Sequence, residues 1–395
     1  MTSTSDVAPG ELSLVLGGPF YQLQLRIGVL RPPFGRLKTR LIALTLFTWL
    51  PLLVLTAING DAVGHAIRVP FLRDVEMHAR FLVALPCLIL AELLVHQRLG
   101  PTVHQFLERG IIRTDDQTRY DDIVASTRRL RNSAAIEVML LLFVLTVGRD
   151  LWQGQLALSG DTWYARVEGG ARFLTPAGRW LAFVSIPLVQ FLMLRWGYRL
   201  FLWTRALWLV ARLDLHLVPA HPDRAGGLAF LGRSAYAFGP LLFAQGAVLS
   251  GLIASRIFYE RRTLPDFTME IVGLLALMMM LVLGPLAIFT PQLWTAKWEG
   301  LHDFGLLANR YVREFDRKWL RGDHSPDEPL MGSSDIQSLS DLANSFEIVR
   351  SMRVVPFGKE TVVYLVVATA LPILPLVLTM IPLEELMKKL IGVLL

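Results

Sequence analysis

Seven apolar runs constrain this chain more than any other feature of its sequence. They occupy residues 41–58, 81–95, 134–147, 180–194, 235–254, 271–290 and 362–381. A helix needs about 20 apolar residues to cross a bilayer, with a range of roughly 17 to 25. The first, fifth, sixth and seventh runs meet that length. The second, third and fourth are short, so each is either re-entrant or a span with polar ends inside the protein. The pattern predicts an all-α polytopic transmembrane helix bundle with about seven spans.

The composition agrees with a membrane class. Charged residues make up 18% of the chain, against roughly 25% in an ordinary soluble protein. The formal net charge is +6, but the basic residues flank the apolar runs. That placement is typical of topology signals and of contact with anionic lipid headgroups, so we expect the bilayer as partner and no nucleic acid. Cys87 is the single cysteine and excludes an intramolecular disulfide, and no motif calls for a cofactor.

The distribution of Lys and Arg predicts the orientation. With a cytoplasmic N-terminus, the segments on the inner side carry 27 of the 39 basic residues, the bias expected of cytoplasmic loops. Seven spans then place the C-terminus outside. The predicted divisions are a cytoplasmic segment over 1–40, spans one to six over 41–290, cytoplasmic amphipathic helices with a flexible loop over 291–361, and the last span with an interfacial helix over 362–395.

Several segments outside the runs read as cytoplasmic helical extensions. The fourth run continues into a helix of about 35 residues, on the order of 50 Å long at 1.5 Å per residue. Apolar stripes over 301–319 and 336–349 indicate amphipathic helices, the first continuing the sixth span. Capping boxes at 114–117 and 334–337 predict helix starts. We expect disorder over 1–18, an interfacial segment over 20–40 and a loop over 322–335.

The densest group of polar, Pro and Gly residues lies between the fourth and fifth runs, at 214–232. Asp223 is placed to cap the segment entering the fifth span. Gly226 and Gly227 allow close approach of a neighbouring backbone. Arg224, beside free N–H groups at a helix start, indicates a site for an anion or lipid headgroup.

The same loop permits a metal interpretation, because His216, His221 and Asp223 lie close in sequence and His302 follows the sixth run. Imidazole and carboxylate groups bind zinc or iron. The spacing of these residues matches no familiar ligand motif, and no argument from the fold brings His302 near. The sequence therefore favours a structural turn over a metal site.

Glu92 and His96 are the other candidate pair. They are four residues apart and share a face of the second predicted helix. A carboxylate within a membrane span is a candidate functional group, and we expect Glu92 to face the bundle interior. Against a functional role, the sequence favours an interfacial Glu92 paired with His96 or with an Arg.

Four phrases carry a resemblance to a known family: HARFLVALPCLILAE (78–92), HPDRAGGLAFLG (221–232), SDIQSLSDLANSF (334–346) and MRVVPF (352–357). They resemble an uncharacterised family of bacterial multi-pass inner-membrane proteins. The resemblance implies a location in the bacterial inner membrane and no activity.

Three functions remain open. Kinked apolar helices, Glu92 and the absence of common catalytic motifs favour a channel or transporter for a small ion or solute over an enzyme. A structural or regulatory protein would bind a partner, or a second copy of the chain, through its cytoplasmic helices. A membrane enzyme would use the loop of His216, His221 and Asp223. A cavity reaching Glu92 would favour transport, and an exposed apolar patch on the cytoplasmic helices would favour a partner.

Overall fold

The computed structural model describes residues 12–28, 35–64, 67–148, 162–168, 171–322, 329 and 333–380. Most of these residues are helical, as the apolar runs predict. The helices are α1 (Pro19–Arg26), α2 (Leu37–Ile58), α3 (Val75–Glu108), α4 (Thr114–Arg131), α5 (Ala134–Gly148), α6 (Pro176–Val210), α7 (Ala229–Glu260), α8 (Leu264–Ala287), α9 (Thr290–Phe315), α10 (Ser334–Arg350) and α11 (Lys359–Ala370).

Five of these helices are long and apolar enough to cross a membrane: α2, α3, α6, α7 and α8. Two further spans arise only if a bent pair counts as one. The axes of α4 and α5 differ by 45°, and those of α11 and the 3-10 helix Leu374–Met380 differ by 57°. The described part of the chain therefore holds five to seven candidate spans, and seven is the upper limit of that range.

The seventh run has the length of a span, but it is broken at its two prolines. Helix α11 ends at Ala370, and Pro372 and Pro375 lie at the bend that follows. Proline lacks the backbone N–H that a helix interior needs and clashes with the preceding turn. Apolar length alone therefore overestimates the length of continuous helix in this segment.

The second and fourth runs show the reverse. They lie within α3 and α6, helices of 34 and 35 residues that are each long and apolar enough to cross a membrane. The length expected for the fourth helix is confirmed. Both helices continue beyond their apolar runs, and polar residues of the extensions are buried within the protein, including Thr102 at 4% exposed and Arg199 at 3% exposed.

Helix α7 lies at the centre of the packing, between α3 and α11. Glycines on α7 permit this close approach. A Cβ atom at Gly246 would overlap the backbone carbonyl of Thr369 on α11, and one at Gly251 would lie 2.8 Å from Cβ of Ala79 on α3. Small residues at such crossings are how membrane helices gain van der Waals contact without a hydrophobic driving force.

The all-α prediction needs one correction, because the chain also forms a two-stranded antiparallel sheet. Strand β1 (Ala165–Glu168) pairs with β2 (Ala171–Leu174). The hairpin is anchored by Trp163, which is fully buried and donates its Nε1 to Asp74 Oδ2 at 2.9 Å. The strands are only four residues each, too short for an alternating pattern to stand out between long apolar runs.

The N-terminal region differs from prediction. Residues 12–18 are packed into the bundle, with Leu12 and Val15 each 1% exposed. The expectation of disorder over 1–18 is wrong for these residues, while 1–11 lie outside the described residues. The interfacial prediction over 20–40 is wrong for Arg40, which belongs to α2 and is 1% exposed.

The amphipathic helices exist as predicted but with different ends. Helix α9 does not continue α8, because the chain turns at 288–289 and Pro291 opens the new helix. Helix α10 is capped by Ser333, which accepts from the Asp335 N–H at 3.1 Å, so the cap lies one residue before the predicted one and is a single hydrogen bond in place of a capping box. Helix α4 begins at Thr114 with a 3-10 turn, which has no side-chain cap. Most of the loop over 322–335 and the interfacial helix over 382–395 lie outside the described residues.

Candidate functional site

Glu92 is buried where α2, α3 and α6 meet. Arg40 of α2 donates its Nη1 to Glu92 Oε2. Arg199 of α6 donates its Nη1 to Glu92 Oε1 at 2.8 Å. The predicted inward orientation of Glu92 is therefore confirmed, and two arginines from different helices hold the carboxylate.

A second carboxylate extends this arrangement to α5. Arg195 of α6 donates its Nε to Glu137 Oε1 at 3.0 Å, and its Nη1 lies 3.6 Å from Glu92 Oε1. Arg195 is 5% exposed and Glu137 is 8% exposed. Arg195 thus bridges the two carboxylates. We call these five side chains the buried ion cluster: Arg40, Glu92, Glu137, Arg195 and Arg199.

The sequence of α6 explains how it presents two arginines to one place. Arg195 and Arg199 are four residues apart and share a helix face. Trp196 between them donates its Nε1 to the carbonyl of Leu88 on α3 at 3.1 Å, which fixes the α3–α6 contact. The Arg199 guanidinium lies 4.8 Å from the Trp196 ring centroid, within the range of a cation–π interaction.

The buried ion cluster is not electrically balanced. Its three arginines and two glutamates give a formal charge of +1. Two of its N–H donors, Arg40 Nε and Arg199 Nη2, are buried and have no hydrogen-bond partner among the described residues. Because desolvated charge is costly unless it is compensated, the cluster has both the charge and the donors to hold an additional negative group.

The backbone of the N-terminal segment reaches the same cluster. The Phe20 N–H donates to Glu137 Oε2 at 2.6 Å. Arg195 Nη2 donates to the carbonyl of Gly17 at 3.2 Å. Residues 17–20 therefore close one side of the cluster through main-chain atoms.

His96 lies one turn beyond Glu92 on α3, and the structure places it against the same segment. Its Nδ1 is 3.0 Å from Ser13 Oγ. A small cavity of about 140 Å³ adjoins this contact. Its lining consists of Leu12, Ser13, His96, Gln97, Gly100 and Pro101. Glu92 is not among the residues that line this cavity.

The loop over 214–232 forms a separate structure. Asp223 Oδ1 accepts from the N–H groups of Ala225 and Gly227 at 2.8 and 3.1 Å, and Oδ2 accepts from Ala229 at 3.1 Å. Ala229 is the first residue of α7, so Asp223 accepts a hydrogen bond from the start of the helix it was expected to cap, although the N-cap residue itself is Leu228. Burial alone would raise the pKa of Asp223, but these three backbone donors hold that pKa below its ordinary value.

Two of the sequence segments that carry the family resemblance, 221–232 and 352–357, pack against each other here. The Arg353 N–H donates to the carbonyl of Arg224 at 2.8 Å, and Arg353 Nη2 donates to the carbonyl of Asp223 at 3.1 Å. A Cβ atom at Gly232 would lie 2.6 Å from the carbonyl oxygen of Pro356. The segment 352–357 is therefore part of the turn into α7.

Of the two glycines expected to pack closely against a neighbouring element, only Gly226 does so. Gly226 has φ +62°, and a Cβ there would lie 3.3 Å from Leu293 of α9, so it packs against a neighbouring helix. Gly227 has φ +97°, but a Cβ there would find its nearest neighbour, Ile111, at 3.8 Å. Position 227 therefore needs a glycine for its backbone conformation and not because a side chain would lack space. Arg224 is exposed and also has a positive φ, of 53°.

The candidate metal ligands do not lie close together. His221 Nδ1 lies 2.9 Å from Asp223 Oδ1, whereas His216 and His302 are exposed. Across the described ranges, no group of three or more His, Cys, Asp or Glu side chains lies close enough to hold one metal ion.

Sequence reasoning missed four members of the buried ion cluster: Arg40, Glu137, Arg195 and Arg199. A partial signal existed. Glu137 interrupts the third apolar run, as Glu92 interrupts the second, and Arg195 and Arg199 repeat the i, i+4 spacing of Glu92 and His96. Basic residues near the ends of apolar runs are ordinarily topology signals, which conceals a buried role.

Together, the spans and the charged group buried among them define a multi-pass helical membrane protein. Comparison with protein-family models finds no match, and neither the curated proteins nor the solved structures contain a similar protein. The function therefore has to be argued from the site itself.

Proposed function

We propose that this protein is a channel or transporter for a small ion or solute, in the bacterial inner membrane that the family resemblance implies. The observation that carries the proposal is the buried ion cluster. Ionisable side chains within membrane spans are costly and usually mark the path of an ion or substrate. Five of them converge here from α2, α3, α5 and α6.

The helix breaks support the same proposal. Prolines occur inside α2 at Pro51, inside α8 at Pro285 and at the bend after α11 at Pro372. Such positions are tolerated where neighbouring helices or a water-filled cavity satisfy the freed backbone groups. Bent helices around a charged interior suit a bundle that opens and closes.

A purely structural clamp is the competing explanation of the cluster. A clamp gains most from balanced charge and complete hydrogen bonding, because each unsatisfied buried donor costs about 1–3 kcal/mol. The excess positive charge and the two unpaired donors of Arg40 and Arg199 do not suit that role. They suit a site that accepts another charged group in part of a cycle.

The test is flux through liposomes that contain the purified protein. Glu92→Gln should abolish flux. The double variant Glu92→Gln/Arg199→Gln keeps the formal charge of the cluster, so it preserves the fold better, and it too should be inactive. Glu108→Gln, an exposed carboxylate on the same helix, is the matched control and should transport normally. Normal flux in the double variant would contradict the proposal.

A second candidate function rests on the exposed apolar side chains of α9. Trp298, Leu306 and Val312 are 55%, 58% and 51% exposed, and Leu320 just beyond the helix is 72% exposed. These residues fit the alternative of a protein that binds a partner or a second copy through its cytoplasmic helices. Leu306→Ser with Leu320→Ser should then lower the particle mass in detergent and leave flux unchanged. An unaltered mass would remove this candidate.

Arg224 remains a proposed contact for an anionic lipid headgroup, supported by its exposure at the turn into α7. Arg224→Ala should reduce the anionic lipid that copurifies with the protein and leave its melting temperature unchanged. Equal lipid content would contradict this contact. The described residues add no support to an enzyme that uses His216, His221 and Asp223.

A further inference from the structure

The N-terminal segment, residues 12–26, is held by the bundle in an unusual way. Four consecutive residues, 12–15, are each at most 2% exposed, although the segment lies outside every span. The segment contains no acidic residue. Its contacts with the buried ion cluster are made by main-chain atoms and by the Phe20 ring, which lies 5.1 Å from the Arg195 guanidinium, and they bring no negative charge.

The main-chain carbonyls of this segment take the positions that an anion would take. Arg195 donates to the carbonyl of Gly17 at 3.2 Å, and Arg131 at the end of α4 donates to the carbonyl of Ser13. Guanidinium groups bind oxyanions more strongly than neutral carbonyls, because the bond is charge-assisted at both ends. The segment is thus a weak occupant of donors that an anion would satisfy better.

The charge around the segment strengthens this argument. The buried ion cluster has a formal charge of +1, and Arg131 raises the total to +2. The N–H donors of Arg40 Nε and Arg199 Nη2 are already without partners among the described residues. Both atoms are buried.

We propose that residues 12–26 form an intramolecular plug over a binding site for a small inorganic anion. Withdrawal of the plug releases the guanidinium groups of Arg131 and Arg195 and extends the cavity at His96 to Glu92, Arg40 and Arg199. The anion then binds where the carbonyls of the plug were. This inference rests on the proposed function, because it names the solute of the pathway and the segment that closes it.

Two glycines show how closely the plug is fitted. Gly18 has φ +87°, and a Cβ atom there would lie 2.6 Å from Glu137 Oε1. Gly28, just past the plug, has φ +73° with nothing within 4 Å of a Cβ position. Gly18→Val should therefore displace the plug through a clash, whereas Gly28→Val imposes similar backbone strain without one. The two variants form a matched pair.

The first test measures exposure of the plug without measuring transport. In a Cys87→Ala background, Val15→Cys is labelled with a water-soluble maleimide in detergent; the native Val15 is 1% exposed. Chloride, nitrate or sulfate replaces gluconate at constant ionic strength. Labelling should accelerate about tenfold, the factor given by the loss of roughly one charge-assisted hydrogen bond. Ile27→Cys, at a position 62% exposed, should label quickly in every salt.

Labelling of Val15→Cys at one rate in all of these salts would overturn the plug and its anion. Gly18→Val should raise the labelling rate even in gluconate, and Gly28→Val should not. Equal rates in the two variants would also overturn the inference. Exchange of sodium for potassium should change nothing.

The second test is flux of the same anions in liposomes, with Gly18→Val expected to exceed Gly28→Val. The two tests separate the two proposals. Labelling that depends on the anion, in a protein without flux, supports the plug and refutes the transport function. Flux with labelling that ignores the anion supports transport and refutes the plug.

Discussion

Replacing Glu92 by Gln should destabilise the bundle by about 3–5 kcal/mol, the usual cost of breaking a buried ion pair by removing one partner. The structure explains why the cost is high. Arg40 and Arg199 both donate to this carboxylate and are 1% and 3% exposed. Without Glu92, neither guanidinium has a compensating charge within hydrogen-bond distance among the described residues. The formal charge of the cluster rises from +1 to +2.

The second substitution, Arg199→Gln, removes one of these guanidinium groups and its hydrogen bond to Glu92. A hydrogen bond to a charged group contributes about 1.5–3 kcal/mol. If the two sites were independent, the double variant would lose about 5–8 kcal/mol, the sum of the two effects. Because Arg199 no longer needs a partner once it is replaced, we expect the double variant to be no less stable than Glu92→Gln alone.

The assay is reversible unfolding in mixed micelles, followed by tryptophan fluorescence and circular dichroism. The free energy of unfolding is compared among the wild type, the two single variants and the double variant. Residues in one ion-pair network show coupling of about 0.5–3 kcal/mol. Glu108→Gln is the control and should change stability by less than about 0.5 kcal/mol. Losses that add within about 0.5 kcal/mol would refute the inference that one buried network holds Glu92.

Three further predictions concern the fold. Gly246→Val should prevent assembly of α7 with α11, because a side chain there overlaps the Thr369 carbonyl. Gly273→Val on α8 is the control, since a Cβ atom there meets nothing within 4 Å. The monodisperse yields of the two variants in detergent are compared, and equal yields would refute this packing. Asp223→Ala should cost about 0.5–2 kcal/mol as a lost cap. Because the folded pKa of Asp223 is depressed, that difference should be full at neutral pH and should shrink as pH falls below about 4; a difference independent of pH would exclude the carboxylate as its cause. Reporter fusions should place the N-terminus inside and the C-terminus outside, and a C-terminal reporter active only in the cytoplasm would mean an even number of spans.

The helical membrane class, the long fourth helix and the burial of Glu92 could be predicted because each depends on a local pattern. Hydrophobic length identifies a helix that the bilayer can accept, and a carboxylate in such a helix must face protein. The partners of Glu92 could not be predicted. Arg40 is 52 residues away in sequence and Arg199 is 107 residues away, and no periodicity within one helix encodes a contact between helices.

The same residues also affect the argument for orientation. Arg40, Arg195 and Arg199 were counted among the basic residues that mark the cytoplasmic side, yet all three are buried in the cluster. Without them, 24 basic residues remain on the inner side against 12 on the outer side, so the predicted direction is unchanged. One residue type therefore serves two purposes at this end of the bundle, and sequence position does not distinguish them.

The placement of the N-terminal segment has a consequence for biosynthesis. Gly17 contacts Arg195, which the ribosome adds 178 residues later. At about 5–20 residues per second, the first residues wait on the order of 10 to 40 s for the helix that receives them. During that time their apolar side chains need another surface, such as a chaperone or the lipid headgroup region. Docking of residues 12–26 is therefore a late step, which requires that α6 has already been synthesised.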